Sequence, residues 1–158
     1  NPVLFFEHKA LYRSEYQYVS EEYYTTEIGK ANLLKTGNHL TIISYGAAVH
    51  WVLKALENLS NIYADVIDLR TLQPLDMDTI YSSVKKTGKA MIVQEDSLFG
   101  GIASEISALI NENCFEFLDA PVQRVASLDT PIPFQADLEH QYLSKNRLRE
   151  RIQFLHQY

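Results

Sequence analysis

The stretch QEDSLFGGIASEI, residues 94–106, sets the class of fold. It joins the apolar run Ala90–Val93, through two acids and a glycine pair, to a segment in which Ile102, Ile106, Leu109 and Ile110 recur at helical spacing. Gly100 and Gly101 permit a tight turn between the strand and the helix. A strand that turns into a helix in this way belongs to an α/β sheet, and the carboxyl ends of such strands are where ligands or partner domains meet the fold. The chain has no GxGxxG fingerprint, no GxxxxGK[ST] phosphate loop and no GxSxG nucleophile elbow. It therefore carries the scaffold for a site without a self-sufficient catalytic set.

Outward from this stretch, strand and helix signals alternate. Val3–Phe6 reads as a strand and is followed by a tyrosine-rich connector, Tyr12 to Thr26, with no periodicity; such a connector is expected to be ordered against another domain. Lys30–Leu34 reads as an edge strand, Leu40–Ser44 as a buried strand, and Gly46 opens a helix with Val49, Val52, Leu53 and Leu56 on its apolar stripe. Ala64–Leu69 is the next strand. Asp76 is placed to cap a helix that carries Ile80 and Val84 and stops at Thr87-Gly88. After the glycine helix, Pro121–Ala126 reads as a further strand, residues 128–143 as a long loop, and a final helix begins near Ser144 with Leu148, Ile152 and Leu155 on one face. The order predicts right-handed crossovers and a three-layer α/β/α sandwich around a largely parallel sheet of about five strands, with residues 1–158 forming a single domain.

Composition narrows the function classes. With 158 residues and 46% hydrophobic content the chain can bury one core. A formal charge of −6 argues against binding to a phosphate backbone, which needs clustered Lys and Arg, so no nucleic-acid partner is expected. Cys114 is the single cysteine, which excludes an internal disulfide and fits a reducing compartment: the expectation is cytoplasmic, or the mitochondrial matrix in a eukaryote. No apolar run approaches membrane-spanning length. Asn1-Pro2, followed at once by a strand-like run, reads as a cut inside a longer polypeptide.

Several segments together carry a resemblance. Phe5-Phe6-Glu7-His8-Lys9-Ala10-Leu11-Tyr12-Arg13, Ser44-Tyr45-Gly46, Val66 to Pro74 (VIDLRTLQP), Gly100-Gly101 and Asp119-Ala120-Pro121 are similar to the beta subunit of thiamine-diphosphate-dependent 2-oxo acid dehydrogenases, in its C-terminal, transketolase-like domain. The Phe-Phe-Glu opening and Tyr12-Arg13 look more like the branched-chain, 2-oxoisovalerate enzymes than the pyruvate enzymes. The resemblance implies an oxidoreductase that uses thiamine diphosphate and magnesium in the complete enzyme, with the cofactor held by other domains. No catalytic, cofactor or metal residue is carried onto this chain, and by itself it is expected to bind neither and to be inactive. The implied role is assembly with the alpha and beta domains of the same enzyme, in an oligomer, and docking of the peripheral subunit-binding domain of a dihydrolipoyl acyltransferase. Other classes are a different transketolase-like enzyme, such as a transketolase or deoxyxylulose-phosphate synthase, and a noncatalytic α/β binding module.

Individual residues are weighed within that frame. Tyr12 with its neighbouring tyrosines, and Phe99, Gly100 and Gly101, are assigned to subunit interfaces, because aromatic residues without interleaved basic ones suit protein contacts rather than base stacking. Asp119 is either a turn residue or, as the resemblance implies, a docking contact for the acyltransferase; if Tyr158 is the native terminus, the final helix brings its carboxylate toward Asp119. Glu7-His8 is read as a charge-assisted contact to a neighbouring loop or domain rather than an acid–base pair. His50 is read as a packed or surface residue, and Cys114 as a buried small hydrophobe.

Overall fold

The computed structural model describes residues 2–158; the expected cut at Asn1 lies outside them. Strands β1 (Asn32–Lys35), β2 (Leu40–Ser44), β3 (Ala64–Asp68), β4 (Ala90–Ser97) and β5 (Gln123–Ser127) form one sheet in the order β1-β3-β2-β4-β5. β2 to β5 run parallel and β1 lies antiparallel along β3. The helices are α1 (Leu11–Ser14), α2 (Ala47–Glu57), α3 (Met77–Thr87), α4 (Ile102–Cys114), α5 (Ala136–Tyr142) and α6 (Leu148–His156).

Every residue of β2 is buried, as expected of a central parallel strand covered on both faces. On one face Leu40, Ile42, Val66, Met91 and Val93 pack against Val52 and Leu56 of α2 and Ile152 and Leu155 of α6. On the other, Ile43, Ile67 and Ile92 meet Ile80 and Val84 of α3 and Ile106 and Ile110 of α4. The predicted three layers are therefore present. Polar groups buried beneath α3 are paired: Thr41 bonds to Ser83 and Thr87 at 2.7 and 2.8 Å, and Ser83 donates to Asp65 at 2.6 Å. Lys86 neutralises Asp65 at 2.6 Å. An unpaired carboxylate at that depth would be strongly destabilising.

Three expectations are corrected. Val3–Phe6 pairs with no strand; its side chains are exposed, so apolar β-forming composition alone did not make a ladder. The expected loop 128–143 contains α5, whose first turn is capped by Gln135 accepting from Leu138 N at 2.9 Å, a cap residue outside the usual Ser, Thr, Asp and Asn set. The final helix begins at Leu148, after a 3₁₀ turn over Ser144–Arg147. β4 also runs past Val93 to Ser97, because Ser97 still pairs with Ser127 of β5, and this carries Glu95 and Asp96 into the strand end.

Asp76 caps α3 as read. Its carboxylate accepts from Thr79 N at 3.3 Å, Thr79 Oγ1 at 2.9 Å and Ala31 N at 3.0 Å, so it also ties the segment before β1 to the helix. Burial pushes its pKa up, but these bonds outweigh burial and hold it below 3.8. Asp76→Ala is expected to cost about 1–2 kcal/mol in urea unfolding near neutrality, the usual loss for a removed cap. Because the folded pKa is depressed, this contribution is present above 3.8 and is lost as pH falls through the lower folded value; the gap between wild type and variant should narrow there.

Candidate functional site

The strand order reverses at β2: the chain passes from β2 to β3 on one side, then crosses back to β4 on the other. In doubly wound sheets this places a crevice at the carboxyl ends of the two strands on either side of the reversal, here β2 and β4. Ser44 Oγ donates to Val93 O across it at 3.0 Å. Gly46, with φ +58° and ψ −138°, a combination that glycine accepts and side-chain-bearing residues avoid, turns the chain from β2 directly into α2. Tyr45 is half-buried beside Glu95 and Asp96; burial first, then these carboxylates, hold its phenol above 10.0 and keep it neutral.

The crevice is bridged by the chain itself. His8 Nε2 meets Glu95 Oε2 at 2.8 Å, and Glu15 Oε2 meets His50 Nδ1, in the first turn of α2, at 3.2 Å. Between these anchors lies α1, where the Tyr12 hydroxyl donates to Glu7. The segment from His8 to Glu15 thus straps the end of β4 to the start of α2. Partly exposed pairs of this kind contribute about 0.2–1 kcal/mol each, enough to orient the arm but not to hold the fold.

Beside the strap, Gln94 organises the glycine turn. It is fully buried; its Nε2 donates to Ser97 O at 2.6 Å and its Oε1 accepts from Ala103 N at 2.8 Å, clamping strand end, turn and helix start together. A side chain on Gly101 would collide with the Gln94 amide, so glycine is required for this close approach. Arg124 donates to Leu98 O at 3.3 Å and Ser104 Oγ at 2.5 Å, and Phe99 N donates to Asp129 at 2.7 Å. Gly100, at φ +76°, throws the Phe99 ring outward, 86% exposed, over an open groove of about 540 Å³ lined by Gly101, Ser104, Glu105, Arg124 and Asp129.

These donors do not fit thiamine diphosphate. Two of the amides near this helix start are committed, Ala103 N to Gln94 and Phe99 N to Asp129; of the charged side chains lining the groove, Glu105 and Asp129 would repel a diphosphate, and Arg124 is engaged by Leu98 O and Ser104 Oγ. Among the described residues no group of three or more His, Cys, Asp or Glu side chains is arranged to hold a metal. No described helix is long and apolar enough to cross a membrane.

At the opposite end of the sheet, Asp119 is exposed; its amide donates to Gly88 O at 2.7 Å and its carboxylate lies over Gly88, within reach of any side chain placed there. Lys89, the next residue, donates through Nζ to His156 O at 3.2 Å, and Tyr158 stacks edge-on against Phe154 at 5.5 Å. The Gly88-Lys89 corner thus brings Asp119 and the end of α6 to the same end of the fold. Cys114 is 1% exposed, and burial pushes its thiol above 9.0, against a smaller lowering by Lys85, which leaves it unsuited to nucleophilic work.

The family described as transketolase, C-terminal domain, matches residues 29–147. The chain belongs to this family. A solved structure described as a split gene transketolase, inactive beta4 tetramer, shares the fold with a TM-score of 0.70 at 26% identity, over 84% of this chain and 43% of that one. The chain is also similar to pyruvate dehydrogenase E1 component subunit beta of Bacillus subtilis (strain 168), 52% identical over 136 residues, which is 85% of this chain and 42% of the relative. The subunit of the same name from Staphylococcus aureus (strain N315) is 48% identical over 136 residues, with the same shares covered. The transketolase C-terminal domain described here thus spans about 42% of the length of these curated relatives.

Of the residues singled out in the sequence, Glu7 and His8 make contacts within the chain, His8 to the strand end and Glu7 to Tyr12, and Phe99, Gly100 and Gly101 form one turn with the ring exposed. Tyr12 lies on the arm, exposed. Sequence reasoning missed the Glu15–His50 pair, which has no local signature, and the role of Gln94, for which a polar residue closing a buried strand just before a glycine pair was an available signal. Gly101→Ala is expected to destabilise the domain by about 1–3 kcal/mol, the cost of overpacking. Gly100→Ala, which meets no neighbour, carries only its backbone strain and should cost less; thermal unfolding of the two variants compares them.

Proposed function

We propose that the chain is the assembly and docking domain of the beta subunit of a thiamine-diphosphate-dependent 2-oxo acid dehydrogenase. The observation that carries this reading is the 52% identity over 136 residues to a pyruvate dehydrogenase beta subunit, joined to a strand-end crevice that the chain's own arm already bridges. In this reading the complete enzyme decarboxylates a 2-oxo acid on thiamine diphosphate, with magnesium, and passes the acyl group to a lipoyl domain; the cofactor supplies the bond chemistry. This domain contributes contacts. Its exposed arm and the Phe99 turn face the alpha and beta domains of the same enzyme, and Asp119 with Tyr158 faces the peripheral subunit-binding domain of a dihydrolipoyl acyltransferase.

Substrate choice within this reading has two sides. The Phe5-Phe6-Glu7 and Tyr12-Arg13 segments support a branched-chain 2-oxo acid, whereas the relatives at 48–52% identity bear the pyruvate name. Similarity over 136 residues outweighs two short segments of the exposed arm, so pyruvate is the first substrate to test. The assay is decarboxylation by the complete enzyme with an artificial electron acceptor, comparing pyruvate with 2-oxoisovalerate. Activity with neither would remove the dehydrogenase reading in favour of another transketolase-like enzyme or a binding module.

Two substitutions test the contacts. Phe99→Asp should weaken association of the beta subunit with the rest of the enzyme in sedimentation across concentrations; unchanged association would take the glycine turn out of the interface. Asp119→Lys should weaken binding of the isolated peripheral domain, with a reduced salt dependence, while leaving the artificial-acceptor rate nearly intact. A buried interfacial charge commonly accounts for about 2–5 kcal/mol and a rim charge mainly for association rate, so the magnitude locates Asp119 within the contact. Unchanged affinity would reduce Asp119 to a turn residue.

A further inference from the structure

Two histidines meet at the end of the fold opposite the crevice. His39, just before β2, and His156, in the last turn of α6, stack at 4.9 Å between ring centroids, and His39 also lies edge-on to Tyr63 at 5.5 Å. Tyr63 N donates to His39 Nδ1 at 3.1 Å, which fixes that ring against the start of β3. His156 Nδ1 is buried without a partner and has no acceptor for a proton placed there.

The charges facing this pair are of one sign. Lys89, entering β4, points its ammonium at the same turn and donates to His156 O at 3.2 Å, closing the carboxyl end of α6. Tyr63, from the start of β3, is the remaining ionisable group in contact. On α6 and the facing α2, Arg149, Glu150, Arg151, Lys54 and Glu57 are exposed, and among the described residues no carboxylate pairs with either imidazole. A proton on His156 Nδ1 would therefore lie beside a second imidazole and an ammonium, with no carboxylate paired to it among the described residues.

We propose that His156, stacked on His39 and facing Lys89, is an acid-sensitive latch, which holds the last turn of α6 at this end of the sheet while its imidazole is neutral and releases that turn when it is protonated. Burial, and then His39 and Lys89, hold the His156 pKa below 6.5, in agreement with this geometry. The sign follows: a histidine whose folded pKa is depressed takes up fewer protons folded than released. The latch is therefore intact above 6.5 and weakens as pH falls from there toward the lower folded value. The consequence for acyltransferase docking rests on the proposed function, because the released turn carries Tyr158; the latch itself does not.

Hydrogen exchange of the full chain, corrected for the intrinsic pH dependence of amide exchange, tests it on the peptide covering α6. The wild type should lose protection severalfold in α6, but not in α4, as pH is lowered through 6.5. The double variant His39→Asn/His156→Asn, in which the amide oxygen introduced at position 39 can still accept from Tyr63 N, should hold α6 protection constant over the same range. Lys89→Met, which keeps both rings and removes the neighbouring cation, should move the midpoint to higher pH, because a proton on His156 no longer faces an ammonium. Wild-type α6 protection that does not change with pH, an equal loss in the double variant, or an unmoved midpoint in Lys89→Met would each overturn the latch. Loss of the α6 latch without any change in acyltransferase affinity would leave it standing and count against the docking assignment alone.

Discussion

Parallel strands cannot be joined by a tight turn, and the structure follows from that constraint. Each return from the carboxyl end of one strand to the amino end of the next needs a crossover helix, and the right-handed sense of the crossover fixes which face that helix covers. β2 takes the centre because its five residues are apolar or can pair internally, so it is the strand that tolerates burial on both sides. With β3 and β4 on either side of it, the crevice between β2 and β4 is a topological necessity rather than a feature added later. What distinguishes this chain is how the crevice is used. Two histidine–carboxylate pairs carry the arm across it, and Gln94 locks the adjoining turn.

The two ends of the sheet have contrasting chemistry. At the carboxyl end, carboxylates dominate: after burial, Asp96, Glu95 and Asp129 raise the phenol of Tyr142, much as Asp96 and Glu95 raise that of Tyr45. Both phenols stay neutral and serve as packed surfaces. At the amino end, Lys89, His39 and His156 gather around the end of α6, with Asp119 just beyond the Gly88 corner. The exposed rings of Phe99 and Tyr158 lie at opposite ends, while the two helical faces close the domain's own core.

The layers were legible because helical and strand periods are local. Ile102, Ile106 and Ile110 repeat along α4, Asp76 caps α3, and Gly88 ends it in the left-handed conformation, all properties of a few consecutive residues. Strand β1 was readable as an edge, but its antiparallel direction was not, since direction depends on where β3 lies and not on Asn32–Lys35. Val3–Phe6 shows the converse: its composition fits a strand, yet it pairs with neither edge of the sheet and its side chains stay exposed. The family segments identified the domain, while the pairs that shape the crevice and the opposite end, Glu15 with His50 and His39 with His156, join residues 35 and 117 positions apart in sequence (50 − 15 and 156 − 39) and are visible only in the fold.

The chain's own arm bridges the strand-end crevice, and the proposed function makes that crevice a structural joint rather than a cofactor pocket. Calorimetric titration of thiamine diphosphate with magnesium into the chain distinguishes the two. No saturable heat is expected in the micromolar range, because Ala103 N and Phe99 N are committed to Gln94 and Asp129, and Arg124, the cation of the groove, is engaged by Leu98 O and Ser104 Oγ beside the carboxylates of Glu105 and Asp129. Saturable micromolar binding, together with its strengthening when His8→Ala frees Glu95 from the arm, would make the crevice a pocket that the arm merely covers, and the joint would be refuted.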